Sequence, residues 1–234
     1  MNRDVIIACD FPSAQDTFAF LDKFTDTKPF VKIGMELFYG EGPDIVKKIK
    51  ERGHKIFLDL KLHDIPTTVE RAMRNIARLG VDMTNTHASG GSSMMKAALE
   101  GLASGCEGAR PLLIAVTQLT STSQDMMNKE LLIPGNINDV IKSYAQNTKD
   151  SGLDGVVCSP LEAGLVKEQC GSDFITVTPG IRYPSAVGDD QSRVTTPSDA
   201  AAIGSKFIVV GRPITAAADP VAAYNQVFKD FVLN

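Results

Sequence analysis

The chain alternates eight short apolar runs with segments that carry helix start and stop signals, and this alternation limits the possible folds more than any other feature. Several runs are continuously apolar and β-branched, as expected for parallel strands covered on both faces. Alternating strands and helices imply a parallel sheet with right-handed crossovers. The predicted strands are Val5–Asp10, Phe30–Gly34, Lys55–Lys61, Met83–Ala88, Leu112–Thr117, Gly155–Cys158, Phe174–Gly180 and Phe207–Gly211.

Eight strand–helix units in 234 residues match a single (β/α)8 barrel, the TIM barrel, without large insertions. The predicted helices include Ile45–Arg52 and Thr67–Leu79, each followed by a glycine, and Leu161–Gln169, which follows a Ser-Pro pair. A doubly wound sheet is the competing architecture, but it usually carries a glycine-rich fingerprint after its first strand, and this sequence has none there. We expect one domain over residues 1–234, because no linker or low-complexity tract divides them.

Composition and charge argue against several classes of protein. No apolar run is long enough to span a membrane, and the N-terminus has no signal-peptide pattern. The formal net charge of -4 provides no basic field to attract nucleic acid, although a local pocket could still bind an anionic small molecule. The four cysteines form no C-x-x-C pair, which indicates free thiols in a cytoplasmic protein.

Charged residues stand at or near the ends of three predicted strands. The carboxyl ends of all strands of a barrel meet at one face, which carries the active site. Asp10, Lys32, Asp59 and Lys61 all fall towards that face. Because strand side chains alternate, Asp59 and Lys61 should project to the same side. Asp64 lies beyond the predicted strand, so the alternation does not fix its direction.

Each of these residues also has a purely structural interpretation. An Asp-x-Lys pair is commonly a plain ion pair, Lys32 could reach solvent from an edge, and Asp10 could belong to a turn. Their shared place at one end of a barrel favours a functional site instead. Neighbouring carboxylates favour the ammonium form of a lysine, so the cluster suits Lys61 as a proton donor better than as a Schiff-base amine.

A second candidate site follows the last two predicted strands. Gly211 and Arg212 come directly after the eighth strand, where barrels often bind phosphate through backbone N–H groups. Arg182 and a polar loop with Gln191 follow the seventh strand, next to them. A surface arginine beside a turn glycine is the alternative interpretation. The stretches 119–135 and 180–197 are the longest irregular segments and are candidate lids.

Together these motifs resemble the orotidine 5′-phosphate decarboxylase family over the full length of the chain. One position departs mildly from the family pattern, since Cys9 stands where the family often has leucine; it should not touch the chemistry. The motifs are Ala8-Cys9-Asp10, Val31-Lys32-Ile33-Gly34, Asp59-Leu60-Lys61-Leu62-His63-Asp64-Ile65-Pro66-Thr67-Thr68, Leu119-Thr120-Ser121, Thr178-Pro179-Gly180-Ile181-Arg182 and Val210-Gly211-Arg212-Pro213.

The resemblance implies a homodimeric enzyme that converts orotidine 5′-monophosphate to uridine 5′-monophosphate and carbon dioxide, the last step of de novo pyrimidine synthesis, without metal or organic cofactor. Lys32, Asp59 and Lys61 would form a charged network with Asp64 of the other subunit. The other implied roles are Asp10 and Lys32 on the ribose hydroxyls, Thr120 on the pyrimidine, Ile65 and Thr68 across the subunit interface, Gln191, Gly211 and Arg212 on the phosphate, and Arg182 in the closing loop nearby.

Two other functions stay open on the sequence alone. A related barrel acting on a sugar phosphate, such as 3-keto-L-gulonate 6-phosphate decarboxylase or ribulose-phosphate 3-epimerase, would need a divalent metal. No cluster of His, Asp or Glu in the sequence has compelling metal-ligand spacing. A non-catalytic phosphate-binding barrel would not need the four charged positions.

Overall fold

Eight parallel strands close into a barrel in which each strand pairs with the next along the chain and the last pairs with the first. The computed structural model describes residues 2–183 and 195–233. The barrel confirms the predicted fold class, and the strand ends differ from the prediction by at most two residues. The strands are β1 Asp4–Ala8, β2 Phe30–Gly34, β3 Ile56–Leu62, β4 Met83–His87, β5 Leu112–Val116, β6 Gly155–Val157, β7 Ile175–Pro179 and β8 Phe207–Val210.

Helices cover the outside of the barrel and join each strand to the next. The three helices predicted by residue range are confirmed within a few residues by α3, α4 and α8, whose bounds follow. None of the helices in the described part of the chain is long and apolar enough to cross a membrane. The helices are α1 Ala14–Leu21, α2 Met35–Glu41, α3 Asp44–Glu51, α4 Pro66–Arg78, α5 Gly91–Gly105, α6 Gln124–Lys129, α7 Ile137–Asp150, α8 Ala163–Cys170, α9 Pro197–Ile203, α10 Arg212–Thr215 and α11 Pro220–Phe228, with 3₁₀ turns at Ala88–Gly90 and Pro160–Glu162 and a π-helical turn at Lys229–Leu233.

Three apolar clusters stabilise the barrel, two between strands and helices and one inside the ring of strands. The inner cluster includes Phe30, Phe57 and Phe207 near the amino ends of their strands, where the rings of Phe30 and Phe207 meet edge to face at 6.1 Å. Lys32 and Asp59 each stand two residues further along the same strands, hence on the same side. The barrel interior therefore changes from apolar to charged towards the carboxyl ends.

The stretch 119–135 was predicted to be irregular, and this was wrong because it contains α6. Ser123 caps this helix by accepting the backbone N–H of Met126 at 3.1 Å. One turn apart, Lys129 Nζ lies 2.8 Å from Asp125 Oδ2. A helix of six residues is too short for apolar periodicity to reveal, so its cap was the only local signal.

Candidate active site

The site is built around an irregularity in β3. Its pairing with β4 shifts register between Leu58 and Leu62, and Lys61 has a φ of 52°, in the left-handed region that residues other than glycine rarely adopt. Lys61 Nζ nevertheless lies 2.6 Å from Asp59 Oδ1, so the two side chains meet as predicted. The alternation of side chains along a strand thus predicted the right pair, although the backbone of β3 is irregular at this point.

Four of the predicted residues form one chain of opposite charges in the barrel mouth. Lys32 Nζ lies 2.9 Å from Asp10 Oδ1 and 3.5 Å from Asp59 Oδ2. The side chains of Lys32 and Asp59 are only 12% and 11% exposed, whereas that of Asp10 is 54% exposed. Asp59 thus bridges two ammonium groups in a largely dehydrated place, where charges interact strongly.

The charges of the network support one another against the effect of burial. Burial alone would raise the pKa of Asp59, but Lys32, Lys61 and the hydrogen bonds that Asp59 accepts outweigh it, and the pKa lies below its usual value. Burial alone would lower the pKa of Lys32, but Asp59 and Asp10 outweigh it and raise that pKa. Both groups are therefore ionised at neutral pH.

Asn85 of β4 completes the network and was missed by the sequence analysis. Its fully buried side chain accepts the backbone N–H of Lys61 through Oδ1 at 2.8 Å and donates through Nδ2 to Asp59 Oδ1 at 2.7 Å. Asparagine is depleted in strands, so an amide in the middle of β4 was a signal that could have found it.

Gly34 leaves room for the Asp10–Lys32 pair of the network. A Cβ atom at this position would lie 3.1 Å from Asp10 Oδ1 and 3.2 Å from Lys32 Nζ, closer than most Cβ contacts. The glycine of the Val31-Lys32-Ile33-Gly34 motif therefore allows the Asp10 and Lys32 side chains to approach each other without a steric clash.

Two histidines border the network. The rings of His63 and His87 lie 5.6 Å apart between centroids. Burial, together with the nearby His63 and Lys61, lowers the pKa of His87, so this imidazole is neutral at neutral pH. Within residues 2–183 and 195–233, no group of three or more His, Cys, Asp or Glu side chains is placed to hold a metal ion.

The residues after β3 stand apart from the network of their own chain. Asp64 is exposed, and its Oδ1 accepts the backbone N–H of Ile65 at 2.6 Å. None of the ion pairs among the described residues includes Asp64. Ile65 is 67% exposed, and Thr68 is exposed in the first turn of α4. These three predicted site residues therefore face outward from the barrel they belong to.

The predicted phosphate-binding residues lie after β7 and β8. Gly211 precedes α10 and Arg212 is the exposed first residue of that helix. The backbone N–H of Arg182 donates to the Thr195 carbonyl at 3.1 Å, which brings together the two ends of the intervening segment. Gln191 lies outside the described residues. Thr120 is exposed in the loop between β5 and α6.

Comparison with known proteins gives one consistent family. Residues 3–227 match the model of the "Orotidine 5'-phosphate decarboxylase / HUMPS family". The chain is 58% identical over 229 residues to proteins from Bacillus cereus and Bacillus anthracis named orotidine 5'-phosphate decarboxylase, covering 97% of this chain and 96% of each relative. A crystal structure of orotidine 5'-phosphate decarboxylase from Lactobacillus acidophilus superposes with a TM-score of 0.89 at 45% identity, covering 98% of this chain and 99% of that chain.

Proposed function

Because the chain belongs to the orotidine 5′-phosphate decarboxylase family, we propose that it converts orotidine 5′-monophosphate to uridine 5′-monophosphate and carbon dioxide. This is the final step in making the pyrimidine nucleotide. The observation that carries the proposal is the Lys32–Asp59–Lys61 network, mostly shielded from solvent, at the carboxyl ends of β2 and β3. It provides fixed charges of both signs in the place where a barrel binds its substrate.

The chemistry explains why such a network is needed. Loss of carbon dioxide from C6 of the pyrimidine leaves a carbanion in the plane of the ring, which the π system cannot delocalise. We propose that the Lys61 ammonium stabilises this charge and then donates a proton to C6. Asp59 would lie near the substrate carboxylate, and their repulsion would be relieved as neutral carbon dioxide forms. Neither step requires a metal or an organic cofactor.

The remaining roles are proposed by analogy with the family. Asp10 and Lys32 would bind ribose hydroxyls, and their pair forming the more exposed end of the network supports this. Thr120, in the loop after β5, would hydrogen-bond the pyrimidine. Gly211 and Arg212 would bind the phosphate through backbone N–H groups and the guanidinium.

Phosphate binding would also contribute to catalysis. Arg182 follows β7 and would approach the phosphate, as would Gln191, which lies outside the described residues. Binding energy from the phosphate, which does not react, could then assist the chemical step.

We propose that the active enzyme is a homodimer whose two sites each receive Asp64, Ile65 and Thr68 from the other subunit. Asp64 is exposed and outside the ion pairs of its own chain, which supports this assignment. Ile65 is a large apolar side chain that is 67% exposed next to it, as expected for a residue that a partner covers. We also propose a cytoplasmic location, because all four cysteines are free thiols.

The proposed reaction is tested by incubating the purified chain with orotidine 5′-monophosphate in a buffer containing a metal chelator. The expected result is loss of substrate absorbance with stoichiometric formation of uridine 5′-monophosphate. A chain that needs added divalent metal, or that acts on a sugar phosphate instead, would favour the related sugar-phosphate barrels. A chain that binds the nucleotide without turnover would indicate the non-catalytic barrel.

The shared site is tested by mixing two inactive variants. Lys61→Ala and Asp64→Asn should each lose activity alone, and mixed heterodimers should regain part of it, because one of their two sites contains both wild-type residues. The two variants carry different affinity tags, so that heterodimers can be purified and counted. Heterodimers that form but remain inactive would contradict a site built from two subunits.

A further inference from the structure

Three side chains of β4 form hydrogen bonds with the backbone of β3 on either side of the bulge and within it. Thr84 Oγ1 donates to the Leu58 carbonyl at 3.0 Å, at the last regular pair before the bulge. Thr86 Oγ1 donates to the Leu62 carbonyl at 2.5 Å, where pairing resumes. Between them, Asn85 accepts the backbone N–H of Lys61. Of these three consecutive β4 side chains, Thr84 and Thr86 bond the regular pairs that flank the bulge, and only Asn85 contacts Lys61 and the Asp59 carboxylate.

The orientation of the Asn85 amide follows from its partners. A backbone N–H can only donate, so the atom facing Lys61 is the amide oxygen, and the nitrogen must face Asp59. The nitrogen donates to the same Asp59 oxygen that Lys61 Nζ contacts, at 2.7 Å and 2.6 Å respectively. One rigid, fully buried amide therefore fixes both the main chain of Lys61 and the carboxylate that orients its ammonium group.

We propose that Asn85 is a positioning residue for the decarboxylation: it holds Lys61 in its left-handed backbone conformation and fixes the Asp59 carboxylate, so that the ammonium group is aimed before substrate binds. The inference rests on the proposed function. Lys61 has a disfavoured backbone conformation that its surroundings must maintain. Without the Asn85 carbonyl, its N–H would lose that partner and the bulge could relax. Misplacing a reacting group by about 1 Å costs on the order of 100-fold in rate.

The first test compares two nearly isosteric substitutions on β4. Asn85→Leu removes both amide contacts and is expected to lower kcat by roughly 10- to 100-fold, with a smaller change in KM, because the phosphate-binding residues are untouched. Thr84→Val is the matched control, since it also removes one buried hydrogen bond to β3 but contacts none of the charged residues. It should lower the melting temperature and keep kcat within about twofold of wild type. Circular dichroism and size-exclusion chromatography establish that both variants are folded.

The second test is the pH dependence of Asn85→Asp. The introduced carboxyl would face Asp59 and the Lys61 main chain, with Lys32 beyond Asp59 and His87 on the same strand. Two carboxyl groups at one site tend to retain a proton between them. A protonated acid has the same donor and acceptor as the amide, whereas its ionised form loses the donor and repels Asp59. The kcat of Asn85→Asp relative to wild type should therefore rise as pH falls, by up to about tenfold per pH unit where the carboxyl titrates.

The outcomes distinguish a failure of the positioning role of Asn85 from a failure of the proposed function. Wild-type kcat in Asn85→Leu, or an equal loss of kcat in Thr84→Val, would overturn the positioning role. If Asn85→Leu does not fold, the Asn85→Asp profile decides, and a ratio to wild type that is flat with pH overturns the proposal. If the wild-type chain itself fails to act on orotidine 5′-monophosphate, the proposed function is wrong. The positioning of Asp59 is then judged by its carboxyl ¹³C titration, whose midpoint should be higher in Asn85→Leu than in wild type; an unchanged midpoint would refute it.

Discussion

Asp59→Asn should destabilise the fold strongly, because Asp59 is the only carboxylate among the described residues that lies between two ammonium groups whose side chains are mostly shielded from solvent. At an effective dielectric constant of about 20, its contacts of 2.6 Å and 3.5 Å correspond to gross attractions of roughly 6 and 5 kcal/mol. Desolvation of the three ions offsets most of this. Removing one partner leaves Lys32 and Lys61 facing a neutral group, which typically costs about 3–5 kcal/mol. The free energy of unfolding is measured by urea denaturation of wild type and variant.

Asp10→Asn is the matched control for this prediction. Its side chain contacts the same Lys32 Nζ at 2.9 Å but is 54% exposed, so solvent screens the ion pair. The variant should therefore lose only about 0–1 kcal/mol of unfolding free energy. The destabilisation caused by Asp59→Asn should also depend on pH. The pKa of Asp59 is lowered in the folded state, so its stabilisation is present above its unfolded-state pKa of about 4 and is lost as pH falls through the folded pKa. The difference between wild type and Asp59→Asn should be full at pH 7 and shrink in acid.

Three results would contradict the predicted stabilisation by Asp59. Equal losses in Asp59→Asn and Asp10→Asn would show that burial does not decide the strength of these ion pairs. A variant as stable as wild type would show that the network is strained in the free enzyme and does not contribute to folding. A difference that does not change between pH 7 and acid would place its origin outside the ionisation of Asp59.

Three further substitutions, one of them a control, test the packing and the phosphate site. Gly155→Ala would place a Cβ atom 2.2 Å from the Ile175 carbonyl oxygen of the neighbouring strand. Thermal unfolding should show a loss of at least about 1–3 kcal/mol in the free energy of unfolding. Gly164→Ala is the control: its Cβ would lie 3.7 Å from the nearest atom, so the variant should be neutral or more stable by up to ~1 kcal/mol. Arg212→Ala should lower kcat/KM by roughly 10- to 100-fold through loss of a charge-assisted hydrogen bond, while kcat/KM for a substrate lacking the phosphate should change little; equal losses for both substrates would contradict phosphate binding.

The barrel could be predicted from the sequence because its signals are long and repeated. Each strand is an apolar run, and turns or caps separate the runs from the helices. The short helix α6 could not be predicted in the same way, since six residues show no periodicity. The bulge of β3 could not be predicted either, because a lysine gives no local signal for a left-handed backbone, and the Asn85 side chain that bonds the Lys61 N–H comes from another strand.

The candidate site was predictable to the extent that its residues are charged. Asp10, Lys32, Asp59 and Lys61 are conspicuous because charges are costly inside a barrel, and the structure brings them together. Asn85 is neutral and distant in sequence, so its contacts with Asp59 and Lys61 depend on strand register. The role of Asp64 could not be predicted from a single chain. Its side chain lies outside the network of its own barrel, so its assignment depends on a partner subunit.

If Lys61 supplies the proton that replaces the lost carboxylate, then its removal should abolish formation of the product. Wild-type protein and Lys61→Ala are incubated with orotidine 5′-monophosphate in D₂O with a chelator, and the product is analysed by NMR. We expect the wild type to form uridine 5′-monophosphate carrying one deuterium at C6, and the folded Lys61→Ala variant to form none above background. Near-normal turnover by Lys61→Ala would exclude Lys61 as the proton donor, and no turnover by the wild type would refute the proposed reaction.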